Sequence, residues 1–217
     1  MTLTLPETLD TAAAFRYLGV QGAPDAALSA LLKRAEAALR EAAAPRAVTL
    51  CARREQVERY LIGEDIQRHV AGCSQCVLMA VTLGAELDRA QRAANAADMA
   101  YAVVLDALSS VAAEAMADAA EDAVRREFSG RGLFLTGRFS PGYGDYPITV
   151  QNELIRLLDA PRRIGLAATP AHLLTPRKSI TAVLGAADHP VTGRKAGCAH
   201  CALREKCSYR KEGKTCA

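Results

Sequence analysis

Two stretches of this chain bring together residue types that could do chemistry. The first is Gly137-Arg138-Phe139-Ser140-Pro141-Gly142-Tyr143-Gly144-Asp145-Tyr146-Pro147, which packs three glycines, two prolines, two tyrosines and one arginine into eleven residues. Pro141-Gly142 suits a type II turn, with Pro fixing the first central φ and Gly supplying the positive φ at the second. Arg138 offers a planar fork to a carboxylate and Tyr143 an aromatic face to a cation, while Gly142 and Gly144 allow close main-chain approach. With the main chain of Ser140 and Pro141, these groups suit an amino-acid-like ligand bearing an adenine or a sulfonium. The plain alternative is a well-built surface turn.

The second stretch is Cys198-x2-Cys201-x5-Cys207-x8-Cys216, with His200 between the first pair. Short loops between four soft ligands permit tetrahedral closure around one zinc ion or the corners of an iron–sulfur cube, and thiolate count does not choose between them. The alternative is a basic tail with free thiols. Cys51, Cys73 and Cys76 read as structural thiols, because Cys76 opens an apolar run and free Cys behaves as a small buried apolar residue. His69, His172 and His189 stand alone in sequence and read as ordinary packed or surface histidines.

These residues need a scaffold, and composition limits it. The chain has 217 residues, 50% hydrophobic, with aromatics at 5% and no Trp. Disorder is excluded for most of its length, and a core built from Ala, Leu and Val favours closely packed helices. Helices are predicted over 11–18, 25–43 and 64–70, and over 86–127 as one or two long helices broken near Asn95. Another is predicted over 147–158, with Pro in its first turn. Strands are predicted over 76–83, 133–136, 163–168 and 179–185, and 48–61 is mixed, with room for one strand. The apolar run 96–120 is interrupted by Asp98, Asp106, Glu114 and Asp118, and reads as a soluble helix rather than a membrane span.

Helices come first and strands mainly later, which predicts an α+β fold rather than a doubly wound nucleotide fold. No dinucleotide or phosphate-loop glycine pattern is present. Net charge is +3, yet residues 194–217 carry seven Lys/Arg against two Glu, so an acidic body meets a basic cysteine-rich tail. The Pro and Gly of 189–193 mark the join, giving a body over 1–190 and a tail over 191–217. Met1 to Asp10 has neither a basic nor an apolar signal region, so a reducing, cytoplasmic setting without a membrane is expected.

Several motifs in order resemble the activation domain of vitamin B12-dependent methionine synthase, over most of residues 10–190. They are Arg138-x-Ser140-Pro141-Gly142-Tyr143, the preceding helix with Ala113-Glu114 and Asp118, and Pro176-x-Lys178-Ser179-Ile180 entering a strand. Phe15-Arg16-Tyr17-Leu18-Gly19 and Gly84-x-x-x-Asp88-Arg89 resemble the short, stand-alone members of that family. The resemblance implies a helmet-like α+β fold, with long helices on a mainly antiparallel sheet, that binds S-adenosylmethionine. It also implies support for the reductive methylation of a corrinoid in the cob(II) state, with an electron donor protein supplying one electron. By the same resemblance, Arg138 would grip the ligand's carboxylate, Tyr143 and the main chain of Ser140 to Gly144 would line its pocket, and Glu114 would be a polar partner.

Two departures stand out. The long form has Pro directly after the Gly-Tyr pair, where this chain has Gly144-Asp145, so the pocket rim differs; and Asp10 is a guess at the N-terminal acid the long form uses. The Asp-x-His-x-x-Gly string of cobalamin-binding modules is not matched either, since His189 in Asp188-His189-Pro190-Val191-Thr192-Gly193 stands one place too early. The expected partner is therefore a separate corrinoid-binding methionine synthase or methyltransferase acting in trans. Beside a cobalt centre that must be reduced, the tail cysteines favour an iron–sulfur cluster, with zinc as the alternative. The rival functions are a nucleic-acid adaptor docking through the basic tail, disfavoured because Tyr209 is the tail's one aromatic, and a non-catalytic scaffold with a structural zinc.

Overall fold

A computed structural model describes residues 1–20, 22–192 and 205–206. Near the N-terminus, α1 (Thr11–Leu18) and α2 (Ala26–Ala42) both start where the sequence places an acid: Asp10 accepts from Ala13 N at 3.0 Å and Asp25 from Leu28 N at 2.7 Å. Such caps satisfy otherwise orphaned amides. Asp10 therefore has a structural task. The chain then forms β1 (Arg46–Arg53), α3 (Arg54–Val57) with a single 3-10 turn (Glu58–Tyr60), and α4 (Glu64–His69). These lead into β2 (Gln75–Thr82).

The long helical stretch is two helices, α5 (Ala85–Ala97) and α6 (Met99–Ser129). The break comes at Asp98 rather than near Asn95, because Asp98 adopts an extended conformation and its carboxylate caps α6 through Tyr101 N at 3.1 Å. By length and composition alone α6 could cross a membrane, but Leu105, Leu108, Ala112, Met116, Ala117 and Ala120 are fully or almost fully buried within the protein. Alanine along this side lets its neighbours approach closely.

After α6 come β3 (Phe134–Leu135), α7 (Val150–Leu157), α8 (Ala160–Ile164), β4 (Ala167–Ala168), β5 (Leu174–Thr175) and β6 (Ser179–Ala187). The strand expected over 163–168 is confined to Ala167–Ala168, because Arg163 and Ile164 close α8. Pro161 pre-sets the first turn of α8, Gly165 at φ 71° ends it, and only Ala167 and Ala168 pair with β5.

The main sheet is antiparallel in the order β1-β2-β6-β3, so β2 and β6 are central, and both are buried almost throughout. Alternation sends Val77, Met79 and Val81 to one face, where α1, α2, α5 and α6 pack, and Cys76, Leu78 and Ala80 to the other, where α4, α7 and α8 pack. The result is a mixed fold of helices on an antiparallel sheet with a core on each side. The tail cysteines Cys198, Cys201, Cys207 and Cys216 lie outside the described residues.

Candidate functional site

Phe139 positions the loop that carries Arg138. It exchanges both backbone hydrogen bonds with Val183 of β6, each at 2.9 Å, and its ring enters the core beside His69 and Tyr146. Side chains alternate along extended backbone, so Arg138 emerges on the opposite face, towards α6. There Glu114, Asp118 and Glu121, spaced at i, i+4 and i+7, form one row along the helix. The Arg138 guanidinium lies 2.8 Å from Asp118, 3.3 Å from Glu114 and 3.4 Å from Glu121. Glu121 is also 2.6 Å from Arg125, which donates to the carbonyls of Leu135 and Thr136. Two guanidinia thus face three carboxylates, leaving one negative charge uncompensated.

The turn forms as the sequence predicts. Tyr143 N donates to Ser140 O at 3.1 Å, with Pro141 and Gly142 (φ 94°) between them. Gly142 N donates to Tyr146 O at 2.8 Å. With these two amides spent inside the loop, its outward character rests on the Tyr143 ring, 57% exposed and edge-on to Phe139 at 6.2 Å. Partial burial raises the Tyr143 phenol above the ordinary tyrosine range, and the nearby Glu114 charge adds to this. The hydroxyl is therefore a neutral donor at physiological pH.

Gly144 and Asp145 have a different task from the one their place on the rim suggested. Asp145 accepts from Glu64 N at 2.7 Å and from Asp65 N at 2.9 Å, capping α4, and its own amide donates to Asp65 Oδ2 at 3.3 Å. Gly144, at φ 55°, faces Asp65 so closely that a Cβ there would sit 2.0 Å from Oδ2. The loop is therefore fastened on one side to β6 and on the other to α4.

A cleft of about 350 Å³ lies further along the same face of α6, lined by Tyr17, Gln91, Asn95, Asp106, Ser110 and Arg177 among others. Asp106, Ser110, Glu114 and Asp118 recur every fourth residue, so cleft and arginine cluster share one helical row. Lys178 lines an adjoining cleft of about 160 Å³, its Nζ 2.9 Å from Asp106 Oδ1 and 2.8 Å from Ser110 Oγ. Residues of separate sequence motifs line the two clefts, Tyr17 the larger and Asp88 and Lys178 the smaller, with Asp88 accepting from Arg177 N at 3.0 Å. Asp106, Ser110, Gln91 and Arg177 were not singled out from sequence. The available signal was the four-residue polar spacing inside an otherwise apolar helix.

The remaining candidates do not join this site. Cys51 lies in β1 opposite Val77 and so faces away from Cys76, while Cys73 and Cys76 are buried; all three are free thiols. Among the described residues no group of three His, Cys, Asp or Glu could hold a metal ion. His69 is buried, with Nε2 2.9 Å from Gly137 O and 3.0 Å from Thr136 Oγ1, a packed histidine under the loop. His172 contacts Asn152 Oδ1 at 2.8 Å and His189 contacts Asp188 at 2.9 Å, both apart from the α6 row.

No family model and no curated protein matches the chain. Solved structures do. One is described as "Crystal Structure of the MetH Reactivation Domain bound to AdoHcy", with a TM-score of 0.62 and 17% sequence identity, covering 87% of this chain and 76% of that one. At that identity the match speaks for the fold. The helices and antiparallel sheet that hold Arg138 against α6 are thus arranged in the fold of the methionine synthase reactivation domain.

Proposed function

We propose that this chain is an S-adenosylmethionine-binding reactivation module that serves a separate corrinoid-dependent methionine synthase or methyltransferase. The observation that carries this reading is the convergence of Arg138, Tyr143 and the α6 acid row in a fold whose solved counterpart holds S-adenosylhomocysteine. The surplus negative charge on the row suits a sulfonium, and the exposed Tyr143 ring suits an adenine or the sulfonium methyl. Ser140 to Gly144 and Glu114 form one wall, and the cleft beyond Ser110 gives the ligand length in which to lie. When a partner's corrinoid stands in its one-electron-oxidised, unmethylated state, this chain presents the methyl donor while an electron donor protein supplies the electron. The tail cysteines Cys198, Cys201, Cys207 and Cys216 would hold a metal group, an iron–sulfur cluster being the form suited to that electron transfer.

The direct test is calorimetric titration of the purified protein with S-adenosylhomocysteine and S-adenosylmethionine, followed by mixing with inactive corrinoid methionine synthase, reductant and S-adenosylmethionine. Binding and recovery of turnover are expected. Arg138→Met should weaken binding of S-adenosylhomocysteine by about tenfold or more, since it removes the guanidinium that, by the family resemblance, grips the ligand's carboxylate. Failure of the unaltered protein to bind either nucleoside would reject the reading.

A further inference from the structure

The other side of the sheet holds nucleophilic residues that the proposed function does not use. Cys73 and Cys76 stand three residues apart where α4 leads into β2, in the core covered by α4, α7 and α8. Cys76 lies opposite Gly185 of β6, and residues paired across strands point to the same face. Cys73 folds back over that glycine, because a Cβ on Gly185 would lie 2.5 Å from Cys73 Sγ. Both thiols therefore share the space above a residue with no side chain. Cys73 is 5% exposed, yet its neighbours Gly72 and Ser74 are exposed, so a small opening of this turn uncovers the Cys73 sulfur first.

Two features set this pair apart from inert core thiols. Burial raises both, and with the charge of a Cys73 thiolate it pushes Cys76 up to about 12, but the Arg54 guanidinium, which donates to Val70 O at 3.3 Å, pulls both the other way. The Tyr146 hydroxyl is buried and has no hydrogen-bond partner among the described residues; burial, and then the charge of a Cys76 thiolate, raises its phenol. A donor without an acceptor beside a thiol stands ready to stabilise the thiolate when it forms. The pair also touches the support of the loop that carries Arg138. The same Cβ position on Gly185 is 3.4 Å from Thr136 Cγ2, so Cys73 and Thr136 meet above Gly185. Thr136 Oγ1 accepts from Gly185 N at 2.8 Å, lies 3.0 Å from His69 Nε2 and donates to Gly137 O at 3.0 Å. Drawing Cys73 Sγ onto Cys76 takes away packing that holds Thr136, the hub of these bonds.

We propose that Cys73 and Cys76 close a reversible disulfide that acts as a redox switch on the loop over 137–146. With a peroxide as oxidant, the Cys73 thiolate attacks one peroxide oxygen; the O–O bond breaks, Cys73 becomes a sulfenic acid, and water leaves. The Cys76 thiolate then attacks the Cys73 sulfur, forming the S–S bond and expelling the sulfenic oxygen as a second water. Both thiol protons end in the waters, and two electrons pass from the sulfurs to the peroxide. A small thiol reductant reverses the change by exchange.

The test needs no nucleoside. Trypsin releases residues 69–89 as one peptide that contains Cys73 and Cys76 and no other cysteine. The native full chain is treated with hydrogen peroxide at a dose that oxidises the exposed Cys51, then unfolded, alkylated and digested. The peptide should lose two hydrogens and take up no alkyl group, and dithiothreitol before unfolding should restore both thiols. Tyr146→Phe should slow closure by about tenfold, the share of one hydrogen bond to a charged sulfur. Hydrogen exchange over 134–146 should quicken by about tenfold in the oxidised protein, while peroxide should leave it unchanged in Cys73→Ser. Full alkylation of both cysteines, or bonding of Cys73 to a tail cysteine instead, overturns the pairing. A disulfide that leaves the loop's exchange unaltered overturns the switch, and an unchanged rate in Tyr146→Phe overturns the role of its hydroxyl.

Discussion

Replacing Gly144 with alanine tests whether the site loop is held by α4. At φ 55° the backbone is left-handed, which costs an L-residue about 1–2 kcal/mol. The added Cβ would stand 2.0 Å from Asp65 Oδ2 and 3.0 Å from its Cγ, so the buried Asp65 carboxylate must swing away. That movement breaks the 3.3 Å bond from Asp145 N and disturbs the carboxylate of Asp145, which receives Glu64 N and Asp65 N. Losing such a cap costs about 1 kcal/mol, so the substitution should cost about 2–3 kcal/mol in all. A chain of this size then melts about 5–10 °C lower. Urea denaturation of Gly144→Ala, Asp65→Ala and the double variant isolates the contact. On the Asp65→Ala background the glycine replacement should cost only its backbone share, leaving a coupling of about 1 kcal/mol. An identical cost on both backgrounds would refute the proposed fastening, as would a single-variant loss below about 1 kcal/mol.

The thiols and the tail give two further expectations. Burial, reinforced by Cys73, pushes the Cys76 thiol up to about 12, so at pH 8 it remains protonated, whereas Cys51 is exposed despite a smaller upward shift from partial burial. Peptide mapping after iodoacetamide treatment of the native protein at pH 8 should find Cys51 alkylated well before Cys76, and equal rates would contradict the buried placement. Anaerobically purified protein should be brown and carry iron and sulfide that vanish when Cys198, Cys201, Cys207 and Cys216 are replaced by serine. A colourless preparation with stoichiometric zinc decides for the structural alternative.

How much of this was legible in sequence depended on the range of the interaction concerned. The Pro141-Gly142 turn, the Asp25 start of α2 and the buried strand after Cys76 are encoded within a few residues, and all form as read. The break between α5 and α6 was displaced by three residues, because Asp98 competes as a cap more strongly than Asn95 acts as a weak helix former. The strand expected over 163–168 shrank to Ala167–Ala168 because Pro161 and Gly165 enclose a single helical turn that apolar content alone did not disclose. Grouping Arg138 with Glu114 came from resemblance, and only the crossing of β6 beneath α6 explains why residues 24 positions apart meet. Asp145 reaching 80 residues back to cap α4 left no local mark. Such long-range polar contacts depend on register between distant elements, which no window along the chain contains.

The placement of these groups along α6 has its own physical logic. A helix buried along one side is a rigid ruler with a rise of about 1.5 Å per residue, so Asp106 and Glu114 stand about 12 Å apart however the surrounding loops move. That span is commensurate with an extended nucleoside joined to an amino acid, whose two ends would otherwise have to be read by loops with independent motions. Lys178 and Arg138 each bind the ruler from the β6 side, one at Asp106 and Ser110 and the other at Glu114, Asp118 and Glu121. Because β6 is a central strand fastened on both sides, sliding either contact by one helical turn would strip a partly buried cation of its carboxylates. Removing one contact should therefore loosen the row locally while the other still holds the spacing. A ligand reading both ends of the row should therefore lose affinity in Arg138→Met and in Lys178→Met alike, which titration with S-adenosylhomocysteine checks.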